Sequence, residues 1–445
     1  MNKLIVFLKR SSLILILLKS SLSFSCDSTQ TRQECLDIHH HWLNEAYVLT
    51  QNCVGFSAPV SGRAYGYFSI GMYESNVEFL PEMKSLSGQL IGYNRTVWLD
   101  ETEDLNWKLV VNSADLELLK YFYRNMPPAN LEQLNTMGDS IQKVHGRKTA
   151  SKKKKKSIAY GIKIAQEIIE WSKLDGADTA FQDNYPDEFQ PPQCKSCWTK
   201  TTPGYLPALL PYWGNNSSLL AGAQDVAQLC EVFTFSTDSS SFMYDQAMIV
   251  LNNSKDDDPK YERIAEFWDD GAGYSGTPSG HFFSVAQSLV IRENRPLDEA
   301  LELYVKLGVA VNEAFISAFA LKYKFNFIRP ISYIQKYIDP QFNTRIASPP
   351  FPEFPSGHSF QSGAASEVMK SILSDTIPII DSTHVNRSDI DGTPRNYSSF
   401  TEMSEEISIS RLYGGIHFRE TLDISLDYGR RIGRYVAQNL KCRNE

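Results

Sequence analysis

Apolar residues recur at helical spacing through most of the chain, and runs of strict alternation are few. The periodicity predicts helices over Leu105–Tyr123, Ser157–Lys173, Leu297–Tyr323, Gly363–Leu373, Thr401–Tyr413 and Leu422–Leu440. Ser399 and Glu402 have the spacing of a capping box ahead of the fifth. The stretch Leu297–Tyr323 is apolar nearly all round, interrupted mainly by Glu302, Lys306, Asn312 and Glu313, which predicts a helix enclosed by others. The expected fold class is therefore all-α, a large helical bundle. Its helices are separated by long Pro, Gly and aromatic segments at Asp178–Gly214, Gly271–His281 and Ala347–Gly357, lengths that mark site-lining loops.

The N-terminus departs from this pattern. Lys3, Lys9 and Arg10 precede a short apolar stretch, Leu13–Leu18, and Ser23 and Ser25 occupy the −3 and −1 positions of a cut before Cys26. Residues 1–25 are expected to be a signal peptide, and 26–445 a single helical domain that is secreted, extracellular or periplasmic. No later run predicts a transmembrane span. A net charge of −8 over 445 residues argues against nucleic acid as a partner. Lys152–Lys156 is the local exception, expected as a solvated loop or helix start. His39–His41 is read as a surface run, because consecutive helical residues diverge by about 100°. Seven cysteines are too few for a disulfide-built scaffold, and Cys194-x-x-Cys197 is expected to close a local disulfide.

Candidate chemistry lies in three segments. In the first, Lys322 closes the enclosed helix and Arg329 precedes a proline that turns the chain out of helix. The second is Pro355-Ser356-Gly357-His358 ahead of a small-residue helix. Ser356 can cap that helix, and Gly357 admits an anion to its first N–H groups. In the third, Arg411 ends one helix and His417 begins the next across Gly414-Gly415. Three fixed cations, a hydroxyl, backbone donors and two histidines suit a multiply charged tetrahedral oxyanion. One histidine can attack or coordinate the central atom, and the other can exchange protons with an apical oxygen. A second Pro-Ser-Gly-His, at Pro278–His281, precedes Lys322 and is assigned to an accessory loop.

Lys322-x6-Arg329-Pro330, Pro355–His358 and Ser410-Arg411-x5-His417, in that order, resemble the motifs of the vanadium-dependent haloperoxidases and type-2 phosphatidic acid phosphatases. The flanks Pro350–Phe354, Ile409–Phe418 and Phe267–Gly271 are similar to the soluble haloperoxidase branch. The resemblance implies two packed four-helix-bundle-like halves, with the site in about residues 262–445. It implies vanadate as cofactor, held by Lys322, Arg329, Ser356, Gly357 and Arg411 and ligated by His417, with His358 as acid–base group. Asp270 would support Arg411. Phe319 and Phe351 would line the halide pocket. The implied partners are hydrogen peroxide and halide. The alternative is a soluble acid phosphatase, without vanadium, cleaving a phosphate ester through a phosphohistidine at His417.

Overall fold

The computed structural model describes residues 29–100, 104–228 and 232–444. The expected signal peptide and its cut before Cys26 lie outside the described residues. The expected all-α class holds. Helix α1 covers residues 29–52. It is followed by α2 (Ala58–Glu74), α3 (Trp107–Phe122), α4 (Pro128–Gly146), α5 (Ser151–Ser172), α6 (Phe242–Lys255) and α7 (Pro259–Phe267). Then come α8 (Thr277–Arg292), α9 (Leu297–Phe325), α10 (Pro330–Tyr337), α11 (Gly357–Leu373), α12 (Phe400–Tyr413) and α13 (Arg419–Asn439). The sheet among the described residues is one antiparallel pair, β1 (Ile379–Asp381) with β2 (Arg395–Tyr397), in register Ile379 to Tyr397.

Two groups of helices share one apolar core that takes side chains from Cys35 to Cys442. In the first group α3 packs on α2, α4 and α5; in the second α11 packs on α9, α12 and α13. The seam between them is α2 against α9. Of the 29 residues of α9, 22 are buried, so its membrane-like length and hydropathy serve the core. Buried Glu313 accepts from Ser218 Oγ (2.7 Å) and Leu220 N–H (3.2 Å), fastening the 218–224 segment to this helix. The α11–α13 crossing is tighter still. A methyl at Gly429 or Gly433 would come within 2.0 Å of Phe360 O or 2.3 Å of Ala364 O, so glycine is what permits this approach. That crossing sets the position of the α11 N-terminus.

Several sequence expectations change in three dimensions. The lysine run forms the first turns of α5, which begins six residues before the predicted start. His39 and His40 are buried, because α1 lies between two partners: His39 Nδ1 meets Asp115 Oδ2 on α3 at 2.6 Å, and His40 Nε2 meets Tyr304 Oη on α9 at 2.9 Å. His281, assigned to a loop, is a buried residue of α8. Ser399 caps α12 through Glu402 N–H, but Glu402 accepts from Ser398 instead of closing the box. The Cys194–Cys197 disulfide forms as expected, and its loop pairs with the chain leaving α9, Trp198 N–H to Asn326 O and Ile328 N–H to Ser196 O.

Candidate active site

Lys322, Arg329, His358, Arg411 and His417 converge where α9, α11 and the α12–α13 connection meet, with Ser356 and Gly357 at the start of α11. Asn326, in the left-handed conformation (φ +46°), stops α9 and turns the chain so that Lys322 and Arg329 both face inward. Arg329 is extended (ψ 150°) before Pro330, as its position requires. Ser356 caps α11, its Oγ accepting from Ser359 N–H at 3.3 Å and from Ser359 Oγ at 2.9 Å, so its own proton is free for a ligand. The N–H groups of Gly357 and His358 precede the first helical bond, Phe360 to Ser356 O, and a methyl at Gly357 would meet nothing within 4 Å. His417 lies two residues before α13 rather than in its first turn, a correction that follows from the left-handed Gly415 (φ +80°) and the cap at Phe418.

His417 is oriented from both ring nitrogens. Nδ1 donates to Glu353 Oε1 at 2.8 Å, and Nε2 accepts from Arg329 Nη1 at 3.2 Å. Burial and the charges of Arg329, Lys322 and Arg411 hold its pKa well below the ordinary value, leaving a neutral ring with a lone pair at Nε2. Glu353 also accepts from Phe418 N–H (3.0 Å) and Thr421 Oγ1 (3.0 Å). Burial raises its pKa to about 7 against the pull of Arg329. Glu353 lies inside the Pro350–Phe354 flank, where the sequence assigns it no role. The signal was a lone acid in an apolar, proline-rich stretch.

Lys322 and Arg329 are buried without an ion pair to a carboxylate among the described residues. Burial lowers Arg329 to about 10, and burial and Arg329 hold Lys322 well below its usual range. Lys322 Nζ donates to Pro352 O (3.0 Å), Glu353 O (3.1 Å) and Pro355 O, so it braces the loop before α11 rather than presenting a free donor. Arg329 Nη2 and His358 Nε2 are buried with no hydrogen-bond partner among the described residues. Burial, then Arg411, pushes His358 down to about 3, so it is an uncharged acceptor at neutral pH. Phe351 lies under two cations, 4.6 Å from Lys322 Nζ and 4.9 Å from Arg329 Cζ, and 5.5 Å from the Phe319 ring. These facts fit a bound oxyanion: positive charge, an unmatched guanidinium donor, a capping hydroxyl, helix N–H groups and a lone pair on His417.

Asp270 does not contact Arg411 as expected. The carboxylate beside Arg411 is Asp269, 3.5 Å from Nη1, and Arg411 Nη2 donates to Ala265 O at 3.1 Å. The left-handed turn at Asp270 (φ +48°) sends its side chain the other way, to His281 Nδ1 at 2.8 Å and His384 Nε2 at 3.1 Å. Adjacent carboxylates look alike in sequence; the turn separates their roles.

The family model described as the VCPO second helical-bundle domain matches residues 302–444. Among solved structures, a bacterial vanadium-dependent iodoperoxidase is similar at 28% identity with a TM-score of 0.82, over 92% of this chain and 97% of that one. A bacterial vanadium-dependent chloroperoxidase shares the fold at 14% identity and TM-score 0.65 in its holo form, over 88% of this chain and 93% of that one. Its apo form gives 13% and 0.62, over 86% and 94%. No curated protein sequence matches significantly.

Proposed function

We propose that the chain is a member of the superfamily of vanadium haloperoxidases and type-2 phosphatidic acid phosphatases, as its family-model match and its likeness to a vanadium-dependent iodoperoxidase support, and that it is a secreted, vanadium-dependent haloperoxidase acting on hydrogen peroxide and halide. The observation that carries this reading is the anion-demanding cluster around His417, with buried Arg329 Nη2 and His358 Nε2 unpartnered among the described residues. Vanadate bound there supplies Lewis-acid activation of peroxide toward halide.

Each side chain then has a task. His417 offers its Nε2 lone pair, and Glu353 fixes the tautomer by accepting the Nδ1 proton. Arg329 and Arg411 would neutralise the negative charge of the bound oxyanion, and Lys322 adds positive potential while shaping the Pro352–Pro355 turn. Ser356 donates its hydroxyl proton, and Gly357 lets an oxygen reach the α11 N–H groups. His358, neutral in the absence of an anion, would accept a proton at Nε2 from a bound O–H group and return it on product release. Phe319 and Phe351 give halide an apolar wall beside the cations, which lowers its hydration on approach. The similar iodoperoxidase makes iodide the halide to assay first.

The test is turnover of purified protein reconstituted with vanadate. Iodide or bromide oxidation with peroxide, lost on chelation and restored by vanadate, supports the proposal. Hydrolysis of an aryl phosphate without halide oxidation would transfer the site to the phosphatase reading, with His417 as nucleophile. Export is tested by N-terminal sequencing of the mature protein, which should begin at Cys26.

A further inference from the structure

We propose that Asp270, His281 and His384 form a second site, for a divalent transition-metal ion of the zinc class. The three residues come from distant segments, the turn after α7, the first turn of α8 and the chain following β1, and all are buried. One ligand atom from each lies within 4.8 Å of the others. Asp270 Oδ1 and His384 Nε2 stand 3.1 Å apart without forming a hydrogen bond, and His384 Nδ1 also lacks a partner among the described residues. A carboxylate oxygen and a ring nitrogen at this separation, out of hydrogen-bond alignment, have the spacing of neighbouring ligands of one ion. Zinc bonds of about 2.0–2.1 Å at a tetrahedral angle put ligand atoms roughly 3.3 Å apart.

The surroundings follow the same logic. His281 Nδ1 faces Asp270 Oδ2 at 2.8 Å, while Nε2 is 2.7 Å from Asp381 Oδ2, the carboxylate–histidine arrangement that orients a metal-binding imidazole. Asp381 accepts Thr383 N–H at 3.0 Å, fixing that carboxylate in turn. Two carboxylates balance the charge of one divalent ion, and the proton that His281 shares with them leaves as the ion binds. The imidazoles favour a zinc-like ion over magnesium or calcium. Trp268 stacks on His281 at 4.7 Å and Phe267 meets His384 edge-on at 4.9 Å, giving the site an apolar wall. A cavity of about 260 Å³ lined by Tyr47, Gly280, Ser284 and Thr383 lies beside the chain neighbours of both histidines.

Such an ion would staple the turn carrying Asp269, and so steady the wall behind Arg411. The site is assigned independently of vanadate chemistry. The full-length protein, dialysed against chelator, is titrated with zinc alone by calorimetry, and its retained metal is measured by elemental analysis. One zinc per chain is expected, with a rise of several degrees in thermal midpoint. His384→Ala should lose at least about 100-fold in zinc affinity, and Asp381→Asn roughly 10- to 100-fold. His384→Gln replaces the alanine variant should that fail to fold. No zinc retained by the wild type, or unchanged affinity in the His384 variant, overturns the proposal and leaves a cluster held by a proton. Vanadate binding by the same samples reports separately on the other site.

Discussion

The tetrapeptide Pro-Ser-Gly-His occurs twice, each time at the start of a buried helix, and the two copies sit in opposite electrostatic settings. At Pro278–His281 the helix has already begun at Thr277, so Gly280 N–H is bonded to Gly276 O and His281 enters a nest of carboxylates. At Pro355–His358 the serine is the cap, the first N–H groups stay open, and His358 looks toward Arg411 and Lys322. Asp270 and Asp381 raise the pKa of His281, whereas burial and cations depress that of His358. A three-residue shift relative to the helix start, plus the charge of the neighbours, turns one motif into a cation-demanding site and the other into an anion-demanding one.

The comparison breaks most sharply at the second copy. His417→Ala should reduce vanadate-dependent halide oxidation by at least about 10³-fold, since it removes the Nε2 lone pair that faces Arg329. His281→Ala should leave vanadate binding measurable, because that ring lies on the carboxylate side. Next in size, Arg411→Ala should weaken phosphate or vanadate binding by more than tenfold. It should also cut the stabilisation these anions confer, from about 2.7 kcal/mol at a hundred times the wild-type Kd to about 1.4 kcal/mol or less at the same anion concentration. Wild-type anion affinity in this variant, read by thermal shift or calorimetry, would remove Arg411 from the site. Glu353→Gln keeps the shape but weakens the orienting acceptor of His417. A roughly 10- to 100-fold loss in vanadate affinity is expected, with the fold intact by circular dichroism.

How much of this was legible in the chain depends on sequence range. The helix around Leu297, the cap at Ser356 and the extended Arg329 before Pro330 are local consequences of periodicity, hydrogen-bonding side chains and proline sterics, and they read correctly. The order of Lys322, Arg329, His358, Arg411 and His417 also carried the site, since each lies at a helix end where the chain changes direction. Long-range pairings were not legible. Nothing near His281 announces Asp381, a hundred residues on, and nothing near His417 announces Glu353. The exchange of Asp269 for Asp270 at Arg411 turned on one positive φ angle. Burial of His39 and His40 required knowing that α1 has neighbours on two sides.

The electrostatic contrast also predicts a pH effect. His358 has a folded-state pKa of about 3, below the ordinary value near 6.5. Between those values the unfolded chain binds a proton that the folded one does not, so stability falls as pH drops from 6.5 toward 3 and is unaffected by this group above 6.5. In buffer free of oxyanions, His358→Asn should shallow that fall by one proton, about 1.4 kcal/mol per pH unit, in urea unfolding from pH 7 to 4.5. Parallel curves would mean that His358 does not carry the charge penalty assigned to it. Saturating phosphate should also shallow the wild-type slope, because a bound anion favours the protonated ring.

The smallest effects come from the two glycines, and they separate packing from function. A methyl at Gly280 would lie 2.7 Å from Tyr65 Oη and 3.3 Å from the Tyr47 ring. Tyr65 is buried and stacked on Phe283 at 4.8 Å, so it cannot retreat cheaply. Gly280→Ala should therefore destabilise the protein by about 1–3 kcal/mol by overpacking. Gly357 has no atom within 4 Å of the same methyl and begins a helix, where alanine is at least as favourable. Gly357→Ala should unfold at or slightly above the wild-type urea midpoint, yet bind phosphate a few-fold more weakly, because the methyl narrows the approach to the first N–H groups of α11. Equal destabilisation by the two substitutions would show that the space before Gly357 is packing room. A loss of affinity without a loss of stability would mark it as the approach an anion takes.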